Sequence, residues 1–283
     1  NFLFMFLLVR VFDKADYATY RQGNLLILTA APVLVFGLPV ALSYYYSRPE
    51  YFNKRNKIVF QTVFLLAVLG ALGAIFMWAI QYKIGVVYNN TVLANVLKYF
   101  SMTLFIEVVT SYYPYYLVAD NRSMKLAKVT FLFGVLRIIS LLISVIMHQG
   151  LDFFLLLYSL NTLVRGAYII YDTFGPTIRS AFHSNTFKQL DWAFRYDHKL
   201  TKSMLLFSWP IALSNVIFAM NNYLDKNLVS MFYGPNDYAI YVNGTFEIPL
   251  IGLITGSIMS ALLPELSSKY RNDDLRAKHE IIE

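Results

Sequence analysis

Two arginines stand in the middle of long apolar runs, and the residues spaced around them suggest what they do. Arg137 shares a stripe with Thr130, Gly134, Ser140 or Leu141, Ser144 and His148, and Arg165 shares one with Tyr158, Asn161, Thr162, Tyr168 and Asp172. Steps of three and four gather each set on one small, polar face of a helix. A charge at mid-membrane costs at least about 2.5 kcal/mol on insertion scales, so it persists where it meets a polar cavity or a partner. Two guanidiniums at similar depth imply one shared positive cavity. Each offers planar, paired donors and stays charged at any physiological pH, which suits the oxygens of a diphosphate.

A third stripe, Thr103, Glu107, Thr110 and Pro114, carries the only acid of its run well away from the ends. Two readings stay open. Glu107 is either a titrating group coupled to the cavity or a permanent partner of Arg137 or Arg165, in which case the arginines act as bundle glue. Ser214, Phe218, Asn221 or Asn222, and Asp225 form a further stripe, and Glu247 precedes Pro249. Asp225 and Glu247 are expected to face the cavity from a second bundle, although Asp225 adjoins Lys226 and could form a solvated pair with it. Lys98 lies on the opposite face from Glu107 near a helix end, where snorkelling to the headgroups accounts for it.

Other chemistries find little support. The histidines, His148, His183, His198 and His279, lie in or beside connections, and no Asp-x-Asp pair or Gly-Lys-Ser/Thr phosphate loop occurs. A sugar polymerase, an acyltransferase and direct use of ATP are thereby disfavoured, nothing resembles a selectivity filter, and no cofactor is implied. The chain has no cysteine, which removes disulfides and thiolate metal sites.

The elements that position these stripes follow from composition. Of 283 residues, 57% are hydrophobic, 17% aromatic and only 14% charged, outside the range of a soluble domain. Stretches near twenty apolar residues predict an all-α, polytopic transmembrane bundle. Its helices fall at about 2–12, 22–46, 58–80, 92–118, 125–147, 152–173, 204–232 and 237–263. The first is too short to span a bilayer, so the chain is expected to be a fragment with its start missing. Prolines 32, 39, 114, 210 and 249 fall in or at the edges of helices, where they allow bending.

Even-numbered connections hold Arg48, Lys54, Arg55 and Lys57; Arg122, Lys125 and Lys128; Arg179, Lys188, Arg195, Lys199 and Lys202; and Lys269, Arg271, Arg276 and Lys278. Odd ones hold only Lys14, Arg21 and Lys83. The positive-inside asymmetry places the even connections in the cytoplasm. The net charge of +7 is therefore attributed to anionic headgroups rather than nucleic acid. The expected organisation is a six-helix lobe over 1–173, a cytoplasmic linker over 174–203, and the start of a second lobe with a charged tail over 204–283.

An internal repeat supports two lobes. Phe12–Tyr20 reads FDKADYATY and Phe232–Tyr241 reads FYGPNDYAIY, with Gly23 opposite Gly244. Both copies are expected in outside connections, and six helices per unit would relate the lobes by an axis along the membrane normal.

Leu8-Val9-Arg10-Val11-Phe12, Asp16-Tyr17-Ala18-Thr19-Tyr20 and Gly37-Leu38-Pro39-Val40-Ala41-Leu42, then Ser208-Trp209-Pro210 and Ser260-Ala261-Leu262-Leu263-Pro264, resemble the Wzx-type oligosaccharide flippases of the polysaccharide transporter family. That superfamily also holds the lipid II flippase and the multidrug and toxin extruders. Asp13 and Ala18 stand where the family pattern has Gly. The resemblance implies a flippase for a lipid-linked (polyprenyl diphosphate) oligosaccharide in the bacterial inner membrane, with other polysaccharide assembly proteins as further partners. It also implies a role for Arg10 in binding the anionic substrate, against the alternative of an interface anchor. A drug or metabolite exporter of the same superfamily is the second reading, and an acid-rich aromatic cavity would favour it.

Overall fold

The computed structural model describes residues 2–183 and 196–245, and side chains over 4–179 and 196–245. Among the described residues it is all helix, without strands. Among the described residues five helices are long and apolar enough to cross a membrane, or six if the bent pair Lys14–Val35 and Leu38–Ser47 counts as one span. The chain is a multi-pass membrane protein.

The helices are α1 (Phe2–Val11), α2 (Lys14–Val35), α3 (Leu38–Ser47), α4 (Arg55–Ala79), α5 (Gln81–Val87), α6 (Thr91–Thr110), α7 (Tyr113–Ala119), α8 (Ser123–Ile146), α9 (Leu151–His183) and α10 (His198–Gly244). Contacts divide the chain into units Asn1–Tyr241 and Val242–Glu283. The first unit takes in α1 to α9 and α10 as far as Tyr241, and the second is described only as far as residue 245.

Several boundaries differ from the sequence expectation, three of them near the site or the repeat. The second helix starts at Lys14, not near 22, because Asp13 caps it, accepting from the Asp16 N–H at 2.7 Å. Asp16 to Tyr20 are therefore its first turns rather than an outside connection. They read as loop because they are polar and aromatic, yet Tyr17, Ala18, Thr19 and Tyr20 are buried inside the bundle. The same helix breaks at Phe36 and Gly37, both in the left-handed region (φ 53° and 69°), and bends by 44° into α3. A Cβ on Gly37 would stand 2.8 Å from Ile211, so both conformation and space call for glycine there. Helix α9 runs ten residues past the predicted end at 173, to His183. Residues 184–195 of the expected linker, and the segment beyond 245 that includes Glu247 and Pro249, lie outside the described residues.

The two similar segments each follow a helix break, though at different backbone angles. Asp13 (ψ 169°) interrupts the helix three residues before Asp16, and Gly234 (φ 77°, ψ 179°) interrupts α10 three residues before Asp237. In both copies the Tyr-Ala that follows is buried.

Side-chain contacts bring the basic connections to one end of the bundle. Tyr46 Oη donates to Asp120 Oδ1 at 2.9 Å, Gln61 Nε2 to the Asp197 carbonyl at 3.1 Å, and Tyr45 Oη to the Ser203 carbonyl at 3.3 Å. Lys125 pairs with Asp172 at this basic end. The opposite, far end is tied by Asn90 Nδ2 to Thr19 Oγ1 at 2.9 Å and Asn89 Nδ2 to the Met231 carbonyl at 2.8 Å. Helices α6 and α9 meet closely: a Cβ on Gly166 would fall 2.8 Å from Ile106 Cγ2. Small residues permit such approach between membrane helices.

Candidate functional site

A cavity of about 380 Å³ opens among α6, α7, α8 and α9. Its volume lies within the range of small-ligand sites, roughly 300–1,000 Å³. On α8 it runs from Leu126 to Arg137, which at 1.5 Å rise per residue is about 16 Å along the helix, from near the basic end to mid-span. The three stripes read from the sequence converge here: Glu107 and Thr110 from α6, Thr130, Gly134 and Arg137 from α8, and Tyr158, Asn161, Thr162 and Arg165 from α9. Thr103, Ser144, His148, Tyr168 and Asp172 lie off the cavity, for helical spacing fixes a face but not how far along it a cavity extends.

The electrostatics are unbalanced. Arg165 Nη2 sits 2.7 Å from Glu107 Oε1, with both side chains about one-third exposed. Arg137 has no carboxylate within ion-pairing distance among the described residues. It donates instead to Tyr20 Oη at 2.5 Å, and its guanidinium lies 4.1 Å from the Phe4 ring centre and 4.8 Å from that of Tyr158. Two cations thus share one carboxylate, leaving one positive charge in excess. Arg137 Nε, Arg165 Nε and Asn161 Nδ2 are buried donors without a partner. A buried unpaired donor costs about 1–3 kcal/mol; unpartnered side-chain atoms also occur away from the cavity, among them Gln61 Oε1, Thr103 Oγ1 and Ser208 Oγ. Glu107 is paired with Arg165, and the pair lines the cavity.

The other sequence candidates are elsewhere. Arg10 is exposed on α1, its guanidinium 4.1 Å from the Phe6 ring centre, and it does not reach the cavity. Lys98 is exposed and stacks over Tyr99. Asp225 is not among the residues that line the α6–α9 cavity. The described part of α10 lies against α2, α3 and the α5–α6 turn, through Ser230 on Gln22, Phe207 on Tyr44 and Asn227 on Tyr88. Asp225 is exposed and accepts from Tyr241 Oη at 2.8 Å, while Lys226 donates to the Asn222 carbonyl. Glu247 lies outside the described residues. Among the described residues no three of His, Cys, Asp and Glu gather as a metal site.

Sequence reasoning misses Tyr113, Ser111, Phe133 and Ile169 as lining residues, and Tyr20 as the partner of Arg137. The repeat motif singles out Tyr20, but as part of a loop. Comparison with known families returns one description, polysaccharide biosynthesis protein, whose model matches residues 1–269. Comparison with curated proteins returns no match, and neither does comparison with solved structures.

Proposed function

The chain belongs to the polysaccharide biosynthesis protein family, and from this premise we propose that it moves a lipid-linked oligosaccharide across the membrane, holding the diphosphate in the α6–α9 cavity. The observation that carries the reading is the excess guanidinium charge with its unpartnered donors. Phosphate oxygens are strong acceptors, and guanidinium–phosphate hydrogen bonds are roughly twice as strong as neutral ones. Arg137 and Arg165 would hold the anionic group. Asn161, Thr110 and Thr130 offer neutral donors and acceptors to the adjoining sugar, and the polyprenyl tail stays in the bilayer. No covalent step is needed. Under the same reading, residues from 204 onward begin a second lobe, and alternating access carries the headgroup from the cytoplasmic face of a bacterial inner membrane to the other.

A drug exporter of related fold would be served by a cavity in which acids outnumber bases, the reverse of the two-to-one ratio here. The deciding experiment reconstitutes the protein in vesicles and follows a fluorescent polyprenyl-diphosphate disaccharide from one leaflet to the other. Arg137→Ala and Arg165→Ala should each slow its movement by about tenfold or more, the equivalent of losing one charge-assisted bond. Unchanged transport in both would remove the diphosphate site, and a preference for cationic dyes would point to the exporter.

A further inference from the structure

The far side of the cavity is closed by aromatic rings, and the residue that holds them is a cavity arginine. Phe4 from α1, Tyr20 from α2, Phe100 from α6, and Phe154 and Tyr158 from α9 pack into one buried cluster. Tyr20 lies 6.1 Å from Phe4, 6.2 Å from Phe100, 5.9 Å from Phe154 and 6.4 Å from Tyr158, centre to centre. Phe12, in the break between α1 and α2, extends the cluster to 5.5 Å from Phe154. Phe12, Tyr20 and Phe154 lie toward the far end, Phe100 at the middle of α6 and Phe4 at the start of α1, whereas the cavity extends from Arg137 toward the basic end. Tyr158 and Arg137 belong to both: they form the cavity's inner wall and the underside of the stopper.

Arg137 touches the stopper at three of its rings. It reaches Tyr20 through a hydrogen bond and Phe4 and Tyr158 through their ring faces. Its other feature is the unpartnered Nε. The guanidinium is held by a neutral phenol and two rings, weaker company than a phosphate would provide. Helix α1 joins α2 through the non-helical Phe12 and Asp13, and exposes Phe6, Val9 and Val11 while burying Phe4 and Leu8.

We propose that Arg137 and Tyr20 form a latch that reads cavity occupancy. An anionic headgroup arriving from the basic end draws Arg137 away from Tyr20 and off the Phe4 ring, and the stopper then parts at the far end. Ligand binding is thereby coupled to opening of the opposite side, and an empty cavity stays shut. This deepens the anion-site reading above and rests on it. A ligand shifts such an equilibrium only by its differential affinity for the two states, and competition for one guanidinium supplies that difference.

The absence of cysteine gives a clean background for testing access. Gly134→Cys places a thiol on the cavity wall, where nothing lies within 4 Å of the added Cβ. Sided vesicles are then exposed on the far side to a membrane-impermeant maleimide, with and without inorganic pyrophosphate on both sides. Calorimetry with pyrophosphate reports binding separately. In the Gly134→Cys parent, labelling should be slow and rise about tenfold with saturating pyrophosphate, the shift expected from one contested charge-assisted bond. Adding Tyr20→Phe, which keeps the ring and removes the hydroxyl, should give the fast rate without pyrophosphate. Arg137→Gln should do the same and lose the pyrophosphate response, which guards against a folding defect in either variant. Equal far-side rates in parent and both variants would overturn the latch even if pyrophosphate binds. Fast labelling of both variants with no pyrophosphate binding to the parent would overturn the anion reading and, with it, occupancy as the trigger.

Discussion

Two polar regions of this bundle are built from similar residues and differ in one respect. At the far end, where α2 meets the α5–α6 turn and α10, Gln22, Tyr88, Asn90, Asn227 and Ser230 form a network in which donors meet acceptors. Gln22 Nε2 donates to Ser230 Oγ at 2.9 Å, and Asn90 Nδ2 to Gln22 Oε1 at 2.7 Å. Asn90 Oδ1 accepts from the Leu93 N–H at 3.1 Å, and Asn227 Nδ2 reaches Thr29 Oγ1 at 3.2 Å. In the α6–α9 cavity, buried nitrogens of Arg137, Arg165 and Asn161 have no partner. A satisfied network fixes helices to one another, while an unsatisfied one is a surface still waiting for a ligand. On the anion-site reading proposed above, the same bundle holds glue in one place and a site in another.

The sharpest way to break that comparison is to damage the glue. Asn90→Ala removes two buried hydrogen bonds and the N-cap of α6, orphaning Gln22 Oε1 and the Leu93 amide. A cap is worth roughly 1 kcal/mol, and membrane side-chain bonds average about 0.6 kcal/mol each, so a loss of about 2 kcal/mol is expected. Denaturant or thermal unfolding in detergent measures it. Arg137→Ala should by contrast cost less, because the loss of its Tyr20 hydrogen bond and ring contacts is offset by removal of a desolvated cation that has no counter-ion. Were Arg137→Ala the more destabilising of the two, the cavity would be structural and the contrast would fail.

How legible each region is in the sequence depends on the same physics. A charge in hydrocarbon is costly enough to be visible without a structure, so Arg137, Arg165 and Glu107 are identifiable, and the spacing of three and four also brings out Thr110, Thr130, Gly134, Tyr158 and Asn161. Spacing within one helix says nothing about which neighbour the stripe meets. That is why the sequence points Asp225 at the cavity although α10 packs on the other side of the bundle. Tyr20 is hidden for a different reason: Asp16 to Gln22 is polar enough to resemble a loop, and only packing against α6 and α9 reveals it as buried helix. The far-end network is equally invisible, since its members come from positions as far apart as Gln22 and Ser230.

A gentler test sharpens the role of Glu107. If the carboxylate and a bound anion compete for Arg165, then Glu107→Gln frees the guanidinium, and pyrophosphate affinity should rise by about three- to tenfold at neutral pH, a coupling of order 1 kcal/mol. Titration calorimetry reads this directly. If Glu107 and Arg165 are simply glue, the substitution should instead lower stability without improving affinity, since the half-buried guanidinium loses its carboxylate partner.

The smallest effect is expected at Arg10, and its smallness is informative. Arg10 lies on the exposed side of α1, stacked on Phe6, among the residues that face away from Phe4 and Leu8. An exposed cation–π contact contributes about 0.5–1 kcal/mol, and it is available whether or not the cavity is filled. Arg10→Ala should therefore change pyrophosphate affinity by less than about twofold, or roughly 0.4 kcal/mol. Asp225→Asn, remote from the cavity on α10, should be as quiet. A loss of tenfold or more at Arg10 would place the anion on the far-end surface instead, where the first helix and not the α6–α9 wall meets it. The open donors of Arg137 and Arg165 would then need another explanation.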